Sequence, residues 1–142
     1  PSLIILGHPD SKKSLYNGHY EKILHNQSFK LGTIQGKAFH TPGHYYDCIS
    51  YYIESVLFTG DTMFVGRTGR TISGGSNIED LYNSTYNILL KLPMKTVILP
   101  GHHYGFSKSI SLLENKKFSD FFQCKSFNEF KIVMEKFEKS RR

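Results

Sequence analysis

Apolar residues in this chain come mostly in short runs closed by glycine or proline, and only twice in the spacing of a long amphipathic helix. "LIIL", from Leu3, is closed by "GHPD" and predicts a buried strand entering a turn. Residues 12–24 are polar and weakly periodic, and predict one short helix. "FKLGTIQGKAFHT", from Phe29, has β-type alternation, with Gly32 and Gly36 as turn or bulge positions. "CISYYI" and "VLFTG" read as two more strands, and Glu54 and Ser55 between them make a tight hairpin. "SNIEDLYNSTYNILLKL" opens with Ser76 and Glu79 in capping-box spacing, then sets Ile78, Leu81, Tyr82, Thr85 and Leu89 on one helical face. Pro93 bars its continuation, and "TVILP" predicts another buried strand. Ser126 and Glu129 repeat the cap before a helix whose Phe127, Phe130, Val133, Met134 and Phe137 share a face. Strands alternating with helices, some joined as antiparallel hairpins, predict one layered mixed α/β domain over residues 1–142.

Composition narrows this picture only a little. At 142 residues the chain is long enough to bury a real core. Lys and Arg outnumber Asp and Glu by 18 to 12, a soft preference for anionic partners, and much of the excess lies in the C-terminal segment as a solvated tail. The two cysteines, Cys48 and Cys124, lie far apart, suggest no disulfide framework and make a reducing cytoplasm the expected location. There is no long apolar run and no signal-peptide pattern, so neither a membrane partner nor export is expected.

Candidate chemistry concentrates where the short runs end. His44 follows "TPG", Asp61 follows "LFTG" and His102 follows "ILPG". In each case a glycine permits a sharp turn and the next side chain is a potential metal ligand. The three lie too far apart in sequence for a finger-type site, so two imidazoles and a carboxylate would have to meet from separate loops. Such a set suits an open catalytic centre for zinc or iron.

"HTPGH", "LFTGDTMFVGRTGR", "GGSNIEDLYNS" and "LPGHHYG" occur here in the order and approximate spacing of the metallo-β-lactamase-fold superfamily, which the chain resembles from residue 3 to about residue 104. The likeness is to its glyoxalase II-like branch, which includes hydroxyacylglutathione hydrolases and persulfide dioxygenases. The resemblance implies an αββα sandwich with metals at one edge between two sheets. It implies that His44 is a ligand of the third motif, Asp61 the carboxylate bridging two metals or completing a single-iron site, and His102 the last ligand of the second metal. Arg70 matches the basic position that helps hold a glutathione carboxylate, and Tyr104 the tyrosine bordering the thiol-substrate pocket. Arg67 stands where relatives often have glycine.

The family's first metal motif, HxHxDH, has no counterpart in this sequence. "GHPDS" matches a turn that follows that motif, and the chain starts on Pro1, so the expectation is a family domain whose N-terminal part is missing from this chain. For the complete domain the resemblance implies one or two zinc ions, with a metal-bound hydroxide attacking a small thioester such as an acylglutathione. An iron-dependent persulfide dioxygenase is the alternative, though that branch often carries "CGRTDF" where this chain has "TGRTIS". A non-catalytic remnant or binding module is a third reading. The expected partner is a small anionic thiol-derived substrate rather than nucleic acid, and uncovered sheet edges would favour homo-oligomers.

Overall fold

A computed structural model describes residues 3–12 and 19–141. β1 (Ile4–Gly7) and β2 (His19–Lys22) pair in parallel as a separate two-stranded sheet. β3 (Ser28–Leu31), β4 (Ile34–His40), β5 (Ile49–Ile53) and β6 (Val56–Gly60) form an antiparallel meander. β7 (Met63–Phe64) and β8 (Arg67–Thr68) make a small hairpin beyond it. β9 (Val97–Pro100) lies parallel to β6, and β10 (Ile110–Ser111) closes that side, giving a six-stranded mixed sheet ordered β10-β9-β6-β5-β4-β3. With its helices this is the α/β class expected.

Alternation along the central strands decides which face is covered. Leu57 of β6 and Ile98 of β9 are fully buried, whereas their neighbours Phe58 and Leu99 point away and stay exposed. The covered face meets helix α1 (Ile78–Asn83), α2 (Leu112–Phe118) and α3 (Phe127–Lys139), so that Leu57, Leu81, Leu89, Ile98, Leu112 and Phe130 share one core. α1 widens into a π turn over Ser84–Ile88 and tightens into a 3-10 turn over Leu89–Lys91 before Pro93 ends it. Leu81, Thr85 and Leu89 face inward through all three segments, as the helical spacing predicted. Glu54 takes a left-handed conformation in the two-residue hairpin between β5 and β6, as such turns require.

Four expectations need correction. "LIIL" forms a strand but not a buried one: Leu3 is 68% and Ile4 51% exposed, because among the described residues β1 pairs with β2 alone. Residues 13–18 of the expected short helix lie outside the described residues, and residues 19–22 are strand, drawn into register with β1. Asn77, not Ser76, caps α1: its side chain accepts from the Glu79 and Asp80 amides, while the Ser76 hydroxyl donates to the Ser73 carbonyl. Gly36 is neither turn nor bulge. It sits inside β4, opposite Phe29, whose ring occupies the space a side chain would need.

α2 is an element that the apolar spacing did not reveal, although Ser111 and Glu114 form a full capping box at its start. Its importance lies in one residue. The fully buried Asn115 side chain donates to the Phe64 carbonyl at 2.9 Å and accepts from the Gly66 amide at 2.7 Å, closing the turn of the β7–β8 hairpin. Asn115→Ala strands both backbone groups. We expect a loss of about 2–4 kcal/mol from two unsatisfied buried partners, read as a lower denaturation midpoint. A midpoint within error of wild type would show that water replaces the amide.

Candidate functional site

The parallel pairing of β6 with β9 is what brings Asp61 and His102 together. Gly60 stands opposite Pro100, and the Gly101 amide donates to the Gly60 carbonyl at 2.9 Å, so the residues leaving the two strands emerge side by side. β4 runs in the same direction as β6, because β5 is antiparallel to both. The loop after β4 therefore delivers His44 to the same sheet edge. All three candidate residues follow the C-terminal end of a strand, the usual location of sites in sheets of this kind.

Local packing leaves these loops little freedom. Gly43 has a positive φ of 136°, and a side chain there would run into the Leu81 backbone of α1. The Gly43 carbonyl accepts from the Asn77 amide, and the Pro42 carbonyl accepts from the Ser84 hydroxyl at 2.6 Å. The loop carrying His44 is thus fastened to both ends of α1. Beneath it the Thr41 and Ser50 hydroxyls meet at 2.9 Å, and the Thr62 hydroxyl donates to the Thr41 carbonyl at 3.2 Å. All three residues are fully buried, and they tie the loop before His44 to the loop after Asp61. No feature of the sequence spacing singled out these hydroxyls.

His44 Nε2 lies 3.6 Å and His102 Nε2 3.4 Å from the same atom, Asp61 Oδ2. The other side of His44 fixes what that contact means. His44 Nδ1 is 2.9 Å from the Arg70 carbonyl, which can only accept, so Nδ1 carries a proton and donates it. In the neutral ring the Nε2 lone pair then faces a carboxylate oxygen, and two electron-rich atoms at this distance need a proton or a cation between them. Donors at roughly 2.1 Å on a tetrahedral ion stand about 3.4 Å apart. Each His–Asp pair has about that separation, so each pair could supply two of the donors that such an ion takes. Among the described residues, no group of three or more His, Cys, Asp or Glu side chains is arranged to hold one ion.

Basic and aromatic side chains border this edge. Arg70 supplies the carbonyl that orients His44, and its Nε is buried without a hydrogen-bond partner. The Tyr104 ring lies 5.0 Å from the His102 ring and 5.2 Å from Phe64. Arg67 sits among three rings, its guanidinium carbon 4.7 Å from the centroids of Phe64 and Tyr104 and 5.1 Å from Phe137. Burial lowers its pKa from the ordinary guanidinium value, with Arg141 adding to the effect. No role for Arg67 follows from the sequence alone, although Phe64 lies near it in the chain and Phe137 on a helical face. Of the other histidines, His8 and His40 stack on each other at 4.3 Å and His19 faces Glu21. Cys48 precedes β5 rather than lying within it, and burial pushes its thiol up, away from nucleophilic use.

The family model of the metallo-beta-lactamase superfamily matches residues 7–102, a span that takes in His44, Asp61 and His102. The chain belongs to that superfamily. Within it the relatives are of the glyoxalase II-like branch. It is 36% identical to the hydroxyacylglutathione hydrolase of Dictyostelium discoideum, over 78% of this chain and 46% of that protein. It is likewise 36% identical to the probable hydroxyacylglutathione hydrolase glo2 of Schizosaccharomyces pombe, over 89% of this chain and 50% of that one. Among solved structures, ETHE1 from Myxococcus xanthus superposes with a TM-score of 0.83 at 30% identity, covering 93% of this chain and 57% of that one. The chain thus spans about half the length of the curated relatives it matches.

Two glycines separate the fold from the site in a test. A Cβ on Gly69 would run into the Asp61 backbone carbonyl, whereas one on Gly101 would meet first the end of a side chain, Asp61 Oδ1 at 2.6 Å. Gly69→Ala has to move backbone and should cost roughly 1–3 kcal/mol of stability, the range for overpacking. Gly101→Ala should cost less than about 1 kcal/mol while turning the Asp61 carboxylate away from His102. Thermal melts of the two variants check the order. Equal melting temperatures would mean that the Asp61 backbone yields as easily as its side chain.

Proposed function

We propose that this chain carries part of the centre of a metal-dependent hydrolase acting on a small thioester such as an acylglutathione. The observation that supports this most directly is the meeting of His44 and His102 on one oxygen of Asp61, with the His44 proton committed to the Arg70 carbonyl. His44 and Asp61 would hold one ion, Asp61 and His102 a second, and a single ion would use a subset of these. When bound, such an ion lowers the pKa of water toward neutrality and polarises the carbonyl under attack.

The remaining work falls to the chain's own side chains. The Arg70 carbonyl keeps His44 in the tautomer that presents Nε2, as an outer partner of a metal-binding histidine commonly does. The Arg70 side chain attracts a carboxylate of the thiol carrier, and the Tyr104 ring forms a wall of the thiol pocket beside His102. The Thr41, Ser50 and Thr62 hydroxyls hold the two ligand loops in register so that little rearrangement is needed on binding. The names of the Dictyostelium and Schizosaccharomyces relatives support the choice of thioester. An iron-dependent persulfide dioxygenase is a second reading, favoured by the overlap with ETHE1 and opposed by "TGRTIS".

Because each ion would find at most two ligands here, the chain by itself should hold zinc weakly and lose most of it on dialysis. Elemental analysis that returned two tightly held zinc ions per chain would contradict the ligand assignment. The reaction is tested on the complete protein, loaded with zinc or, anaerobically, with ferrous iron. The expected result is cleavage of a glutathione thioester. Oxygen consumption on glutathione persulfide, with no thioester cleaved under either metal, would transfer the assignment to the dioxygenase.

A further inference from the structure

Arg67 is held by rings instead of by a carboxylate, and that difference leaves it unspent. Aromatic faces attract the guanidinium charge but offer its N–H groups no strong acceptor. Among the described residues Nη1 donates to the Thr68 carbonyl at 3.2 Å, and Nε is buried with no partner. Among the described residues no carboxylate forms an ion pair with Arg67, Arg70 or Arg141. The neighbouring Arg70 likewise has a buried, unpartnered Nε. Asp61 attracts Arg67 from a distance and Glu138 is engaged by Thr71, so the guanidinium groups gather without a carboxylate paired to them and are open to an anion that arrives from outside.

Position adds a second line of support. Tyr104 contacts both Arg67 and His102, so the guanidinium stands one ring away from the candidate metal edge. Phe137 also lies against the guanidinium and walls a groove of about 350 Å³ that includes Gly66, Phe118, Lys136 and the carboxylate of Asp120. Phe137 is thus shared between the Arg67 guanidinium and this groove, where Lys136 adds a positive charge and Asp120 a negative one. The rings remove most of the rotational freedom that an arginine normally loses on binding, so the contact is preorganised. The planar fork of the guanidinium suits a two-oxygen anion.

We propose that Arg67 is a specificity-determining residue that binds an oxyanion of the thiol carrier, a carboxylate or a phosphate, in addition to the one assigned to Arg70. This rests on the thioester reading for the identity of the carrier but not for the contact itself. Calorimetric titration of the chain separates the two, because it needs no turnover. The probes are S-methylglutathione, its diethyl ester, in which both carboxylates are capped, and S-methyl-coenzyme A.

Arg67→Ala should weaken one of the two anionic probes about tenfold, the loss of one charge-assisted contact, while leaving the diester within about twofold. Loss on S-methylglutathione identifies a carboxylate, and loss on S-methyl-coenzyme A a phosphate. Arg67→Lys, which keeps the charge but not the fork, should retain part of the affinity, and it carries the test where the alanine variant fails to fold. Equal weakening of charged and capped probes would reduce Arg67 to a packing residue and overturn the proposal, as would the absence of binding by any probe. If the pattern holds but the complete protein cleaves no thioester, the hydrolase reading falls and the role of Arg67 stands.

Discussion

A carboxylate oxygen shared by two imidazoles sets the conditions that the rest of this structure meets. Asp61 can serve both His44 and His102 only if three loops end at one place, and the sheet solves this with strand direction. β4, β6 and β9 point the same way, and the pairing of Gly60 with Pro100 brings two of the three ends into contact. The antiparallel hairpins between them bring the third end back without a long crossover. The mixed sheet is therefore a requirement of the site and not merely a scaffold beneath it.

Keeping such a group together opposes its own electrostatics. A neutral imidazole lone pair directed at a carboxylate is held there only if the surrounding backbone cannot relax. Buried hydroxyls do part of this work between Thr41, Ser50 and Thr62, and the Asn115 amide does another part at the hairpin that leads to Arg67. These partners are neutral, so they fix positions without adding charge. The core formed by Leu57, Leu81, Ile98 and Phe130 supplies the rigidity against which they act.

The candidate site is more legible in the sequence than the supports around it. A glycine followed by a ligand-type residue at the end of an apolar run is a local pattern, and it singles out His44, Asp61 and His102, which the structure brings together. The helical face of Leu81, Thr85 and Leu89 was legible for the same reason, since periodicity survives even where the helix widens into a π turn. What escaped was decided by distant partners. Asn115 looks like any helical asparagine until Phe64 and Gly66 are placed beside it, and Arg67 like a loop arginine until Phe137 arrives from α3. "LIIL" was misjudged as buried because hydrophobicity reports what a strand prefers, whereas burial depends on what covers it.

The contact between Gly43 and Leu81 has a mechanical consequence. With no side chain between them, the loop carrying His44 rests on the helix backbone itself, so the helix acts as a fixed stop whose position is copied to the imidazole with almost no slack. A shift of α1 caused deep in the core, behind Leu89 or Phe130, would arrive at His44 nearly undiminished, where a cushion of side chains would have absorbed it. The tolerance of the centre to error is thus inherited from the packing of residues that never approach it.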